Sequence, residues 1–178
     1  LALLKGIKNM DAMQALLTRR SIRKFTNEPV STQDVQALLR AGMQAPSANN
    51  SQPWHFIVVQ ERERLDKITE YHPWSKMCLE ATLAIVVCAH VPPGKLYDMW
   101  IQDCAAASQN ILLAAHILGL GGVWLGVHPR EERVAGTIAL FELPEDIRPF
   151  SILALGHPRE SVAAVDRFDP NKVHYEHW

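Results

Sequence analysis

Arg19, Arg20, Arg23 and Lys24 place four cations within six positions, with Ser21 among them. A guanidinium presents parallel N–H donors that match phosphate oxygens, and a serine hydroxyl adds another donor. The cluster reads either as a solvated basic turn or as a phosphate clamp for a nucleotide or flavin. A second segment, Pro46-Ser47-Ala48-Asn49-Asn50-Ser51-Gln52-Pro53-Trp54, is rigidified by proline and rich in amide side chains. It serves as a plain connecting loop or as a reader of ring edges. Amides carry both a donor and an acceptor, which suits the N–H and C=O pattern of a flavin pyrimidine or a base.

Other candidate motifs are weaker. Gly119-Leu120-Gly121-Gly122 ends a helical pattern and feeds a strand, whereas a dinucleotide loop follows a strand and opens a helix. Gly119 or Gly121 is better read as a helix C-cap. His174 and His177 stand three apart beside Glu176, as a two-histidine metal site or as a frayed tail, and no further ligand suggests itself. There is no G-x-S-x-G. Cys78, Cys88 and Cys104 are odd in number and show no C-x-x-C spacing, so they read as reduced core residues of a cytoplasmic chain. With 18 Lys and Arg against 19 Asp and Glu, the formal charge of −1 disfavours nucleic-acid or membrane-surface binding.

The elements that must position these residues follow from apolar spacing. The 178 residues suggest one domain over 1–178, with 1–9 as a loose N-terminal extension. Helices are expected over Asp11–Leu17 (with Met13, Leu16 and Leu17 at helical spacing), from an N-cap at Ser31 to Met43, over Glu61–Tyr71, over Met99–Leu118, and from Arg130 to about Leu140. On the second helix Val35, Leu38, Leu39 and Met43 line one face. Strands are expected over His55–Gln60, Leu83–Ala89, Val123–Val127 and Phe150–Leu155. The result is an α+β fold, a mixed β-sheet core covered by helices on both faces, with some parallel pairing implied by helices between strands. The uncharged stretch between Asp103 and Arg130 is long enough to span a bilayer, but its polar residues and glycines fit a buried helix, turn and strand better. Leu1 to Leu4 do not make a signal peptide, and Leu1 suggests a trimmed end. A long helix apolar almost all round points to burial against a second subunit, hence a dimer.

In combination, Arg19-Arg20-Ser21-Ile22-Arg23-Lys24-Phe25 and Ala45-Pro46-Ser47-Ala48-Asn49-Asn50-Ser51-Gln52-Pro53-Trp54-His55-Phe56 resemble the nitroreductase family, in its short single-domain branch. Asp103 to Trp124, Leu155-Gly156-His157-Pro158 and Arg167-Phe168-Asp169 match in the same order. The resemblance implies a cytoplasmic homodimer whose FMN sites are shared between subunits, with NADPH or NADH as electron donor. It also implies a small-molecule electron acceptor such as a nitroaromatic or a quinone, reduced by ping-pong hydride transfer. Arg19, Arg20, Ser21 and Arg23 would hold the FMN phosphate and ribityl chain, Arg23 reaching towards the pyrimidine. Pro46, Ser47, Ala48 and Asn49 would come from the other subunit. Leu125 and Gly126 would approach the central ring, and Arg167 would serve as a late phosphate ligand, with Arg159 the alternative. No side chain is implied as a catalytic acid or base. Tyr71 to Met77 departs from the larger members of the family and leaves the acceptor open. Dehalogenating or flavin-consuming relatives, and a non-catalytic FMN-binding protein, are the competing readings.

Overall fold

Ser31 caps the second helix as its position predicts: its hydroxyl oxygen accepts the Asp34 main-chain N–H at 3.1 Å and its O–H donates to the Asp34 carboxylate at 2.7 Å. In this computed structural model, which describes residues 10–92 and 98–178, the order is α1 (Ala12–Thr18), α2 (Thr32–Met43), β1 (Trp54–Val59), α3 (Arg62–Tyr71), β2 (Leu83–His90), α4 (Trp100–Ile117), β3 (Gly121–Gly126), α5 (Glu131–Phe141) and β4 (Ile147–Gly156). The sequence-based expectations for residues 1–9, including Leu1 to Leu4, lie outside the described residues.

The strands form one sheet in the order β1-β2-β4-β3. All three neighbouring pairs are antiparallel. The parallel pairing expected from intervening helices is confined to an isolated bridge between Ser21 and Gly122. A helix between two strands permits a parallel crossover without imposing one. Here α3 lies between β1 and β2 in sequence, yet those strands run in opposite directions side by side.

Alternation along β2 builds the two cores. Leu83, Ile85, Val87 and Ala89 pack with residues of α2 and α4, including Leu38, Cys104 and Ile111. Ala84, Val86 and Cys88 pack on the other face with Leu65 and Ile68 of α3 and with Val134 and Phe141 of α5. The sheet is therefore covered on both faces, as expected. The three cysteines are free and buried, and burial pushes each thiol up to about 12, which leaves them unreactive.

Two apolar patterns face outward instead of inward. Met13, Leu16 and Leu17 are exposed on α1, where only Ala15 is buried, and Met43 is exposed at the end of α2. On α4, Cys104, Ala107, Ile111 and Ala115 are buried, while Leu113 and Ile117 are only half-buried. Among the described residues no helix is long and apolar enough to cross a membrane.

The turn after α4 is built by Gly119, whose φ of +78° closes a pair of hydrogen bonds, Gly119 N–H to the His116 carbonyl at 3.1 Å and Leu120 N–H to the Ala115 carbonyl at 2.8 Å. This confirms the C-cap reading of the glycine run. At the C-terminus, His174 stacks on Trp178 with ring centroids 4.3 Å apart.

Candidate functional site

The basic cluster does not stay together in space. Residues 19–23 run extended beside the start of β3, where Ile22 N–H donates to the Gly122 carbonyl at 3.1 Å. Arg19 and Arg20 line a cavity of about 260 Å³ with Thr18, His116, Gly119 and Glu160. Arg23 lines a larger one, of about 620 Å³, with Trp124, Leu125, Gly126 and the segment from His72 to Met77. Ser21 sits at the bridge between them.

The smaller cavity gathers positive charge. Partial burial, with Arg167 and Arg20 close by, holds the Arg19 guanidinium below its ordinary value. Among the described residues neither Arg19 nor Arg167 makes an ion pair within 4.0 Å. Burial, with Arg19 and Arg20 nearby, also lowers the pKa of His116. Its Nε2–H donates to Thr18 Oγ1 at 2.8 Å, since the Thr18 hydroxyl spends its own proton on the Gln14 carbonyl at 2.6 Å.

Arg20 differs from its neighbour. Its guanidinium donates to the carbonyls of Arg19 (2.7 Å), Val165 (2.8 Å) and Ala163 (3.2 Å), so it ties the C-terminal segment to the end of α1. Arg159 lines neither cavity and is paired with Glu80 at 2.8 Å.

Glu160, which sequence reasoning passed over, fixes the backbone at the junction. Its Oε1 accepts the N–H groups of Arg23 (2.7 Å) and Lys24 (3.2 Å). Its carboxylate is the acidic group lining the smaller cavity.

The larger cavity is apolar along β3 and cationic elsewhere. Leu125 and Gly126 form its wall with Val123 and Trp124, and Lys76 and Arg133 join Arg23. A Cβ built on Gly126 meets no atom within 4 Å, so the backbone there faces open space. The segment whose role the sequence left open, Tyr71 to Met77, supplies His72, Pro73, Trp74, Lys76 and Met77 to this wall.

The amide-rich loop lines neither cavity of its own chain. It is held from beneath by Asp103 in the first turn of α4, whose Oδ1 accepts the Ala48 N–H at 3.0 Å while Oδ2 lies 3.4 Å from Ser51 Oγ. Ser47 Oγ accepts the Gln52 N–H at 3.0 Å. Asn49, Asn50 and Gln52 all adopt left-handed backbone, with φ of +53°, +53° and +47°. Sequence reasoning missed Asp103 as a loop anchor, because an acid in a helix's first turn already has a reason to be there.

The chain is 49% identical over 172 residues (97% of this chain, 90% of the relative) to a Methanothermobacter thermautotrophicus protein provisionally named NADH dehydrogenase/NAD(P)H nitroreductase. A crystal structure of a provisionally named NADH oxidase from Clostridium acetobutylicum superposes with a TM-score of 0.88 at 43% identity, covering 94% of this chain and 100% of that one. A Desulfovibrio desulfuricans structure, provisionally named a nitroreductase and solved in complex with FMN, superposes with a TM-score of 0.80 at 31% identity, covering 96% and 99%. The profile of the Nitroreductase family matches residues 16–77 and 72–157, so the chain belongs to the Nitroreductase family.

Proposed function

We propose that this chain is an FMN-dependent oxidoreductase that draws electrons from NADH or NADPH and delivers them to nitroaromatics, quinones or similar small acceptors. The observation that carries this reading is the open backbone at Gly126. It forms a wall without side chain in a cavity of about 620 Å³ that Arg23 also lines, while Arg19, with Arg167 acting on it, lies on the smaller cavity four residues earlier in the chain. A planar ring and a terminal phosphate suit that combination. The residues present therefore fit FMN, which when bound supplies the two-electron chemistry.

Arg19 and Arg167 hold the phosphate. Like charges brought together without a carboxylate partner are relieved by a dianion, and charge-assisted bonds to phosphate are the strong kind. Ser21 adds a donor at the bridge, and Arg20 steadies the segment that carries Arg167. Arg23 stabilises negative charge at the ring edge in a partly enclosed site, where a fixed cation counts for more than in water. Leu125 and Gly126 set the approach to the ring, and Trp124 and Met77 exclude water. Protons come from solvent, which accords with the absence of any assigned acid or base. Donor and acceptor use the same cavity in turn, so double-reciprocal plots are expected to be parallel. Intersecting lines would mean a separate second site.

The active form is a homodimer in the cytoplasm. Pro46, Ser47, Ala48 and Asn49 reach the partner's FMN, because the loop is held stiffly while lining neither of the two cavities described above. Exposed Met13, Leu16 and Leu17 supply apolar area for the partner.

Absorbance of the purified protein tests the reading. A flavin spectrum, release of FMN on denaturation, and NADPH or NADH oxidation on adding a quinone or nitrofuran are expected. A colourless protein that refuses added FMN would overturn it, and bound FMN without turnover would favour a non-catalytic flavin-binding protein.

A further inference from the structure

The same glycine is gripped from two sides. The Gly126 carbonyl accepts His72 Nε2–H at 3.0 Å and Arg133 Nη1–H at 2.8 Å. The tautomer of His72 follows from its other nitrogen, since Nδ1 lies 3.3 Å from the Trp74 main-chain N–H and accepts from it, leaving the proton on Nε2. Burial, together with the nearby Arg133 cation, lowers the pKa of His72 and keeps the ring neutral.

The two donors come from different elements, the turn after α3 and the first turn of α5, and converge on the last residue of β3. One donor is enough to satisfy a carbonyl, and an added guanidinium bond is of the stronger, charge-assisted kind. Glycine is the most permissive residue in the backbone, and this one has no Cβ to pack and no side chain to wedge it. The other end of this peptide, the Val127 N–H, donates to the Phe150 carbonyl at 3.2 Å, so the sheet holds the plane on one side and the two side chains hold it on the other. His72, Arg133 and Gly126 all line the larger cavity.

We propose that His72 and Arg133 are positioning residues that lock the Gly126 peptide plane and so set the distance and tilt between the end of β3 and the ring bound against it. This rests on the FMN reading above. Neither residue takes or gives a proton in the reaction. Their effect passes through one carbonyl, and a misplacement of about an ångström at a reacting centre is enough to cost a large factor in rate.

The experiment uses the full-length protein loaded with FMN in four variants: Arg133→Met, Arg133→Lys, His72→Phe and His72→Gln. The readouts are the FMN dissociation constant by fluorescence quenching, the visible absorption maxima and midpoint potential of the bound flavin, and the stopped-flow rate of its reduction by NADPH or NADH. Arg133→Met and His72→Phe are expected to keep FMN, shift its absorption maxima and potential, and slow its reduction about ten-fold or more. Arg133→Lys and His72→Gln, which retain a donor for the carbonyl, are expected to recover most of the rate and the native spectrum. FMN-loaded Arg133→Met and His72→Phe with native spectrum, potential and reduction rate would overturn the clamp. Should His72→Phe fail to fold, Arg133→Met decides alone, because Arg133 is only half-buried. Wild-type protein that takes up no FMN would overturn the flavin reading itself, a result distinct from unaltered loaded variants.

Discussion

The main-chain N–H of Ala48 donates to Asp103 Oδ1 at 3.0 Å, joining a strained loop to a helix 55 residues further on. Asp103 is 4% exposed, and its carboxylate also lies beside Ser51. Left-handed backbone at non-glycine residues costs on the order of 1 kcal/mol or more each and persists only where neighbours hold it. Asp103→Ala should therefore lower stability by about 1.5–3 kcal/mol, the range for hydrogen bonds to a charged group. Urea unfolding followed by tryptophan fluorescence measures this. An unchanged midpoint would show that the loop keeps its shape without the carboxylate.

Arginines adjacent in sequence should behave differently. Arg19→Ala and Arg23→Ala should each weaken FMN binding by about 1.5–3 kcal/mol, with little change in melting temperature. Arg20→Ala should chiefly release the segment around Ala163 and Val165, seen as faster amide exchange there. Cys88→Ala should leave flavin content unchanged. Equal FMN affinity in wild type, Arg19→Ala and Arg23→Ala would reduce the cluster to a solvated turn.

A methyl group placed on Gly126 probes the cavity without disturbing the apoprotein. No atom lies within 4 Å of the added carbon, so Gly126→Ala should fold with stability within about 0.5 kcal/mol of wild type. Bound FMN would meet that carbon, and overpacking of about 1–3 kcal/mol should appear as weaker binding. Isothermal titration with FMN checks it. Native affinity would mean that the ring lies elsewhere.

Acid should destabilise the fold from just below neutrality. His72, His116 and His128 all have folded pKa values below the ordinary 6.5, chiefly through burial. The unfolded chain thus binds more protons, so unfolding free energy rises with pH through this range. The contribution is fully present above about 6.5 and is lost as pH falls from there towards the folded values. Urea midpoints between pH 7.5 and about pH 5 should fall, and His72→Gln should flatten the slope. A steeper slope in that variant would contradict the assignment.

Site sharing between subunits has a direct genetic test. A heterodimer of one Asn49→Ala chain and one Arg19→Ala chain should contain one site with both native residues and one with neither. FMN titration should then give one tight and one weak site. Two equal, half-damaged sites would place the loop within its own chain.

Much of this was legible in the sequence because the elements announce themselves. Apolar runs such as Ile85 to Ala89 and the glycine stop at Gly119 placed strands and helices to within a few residues. Sheet order was not legible, since antiparallel ladders depend on pairings between distant strands. The division of Arg19 from Arg23 was hidden for a related reason. The bridge of Ser21 to Gly122 carries the segment past the start of β3, from one cavity to the other, and that contact is absent from local spacing. The grip of His72 and Arg133 on Gly126 was invisible because it acts through a main-chain carbonyl, which leaves no mark on residue type.

The run from Ser21 to Thr26 also closes the sheet. It bridges Gly122 in parallel, then Pro158 in antiparallel fashion, with Thr26 N–H donating to the His157 carbonyl and Arg159 N–H to the Lys24 carbonyl, both at 2.9 Å. β3 is the sheet's outer strand on that side, and an uncovered outer strand is a template for pairing with a stray chain. The arginine-bearing segment blunts it. Damage that peels this segment away therefore removes the anion site and bares a sticky edge in one event, so such variants should be lost to aggregation as well as to ligand failure.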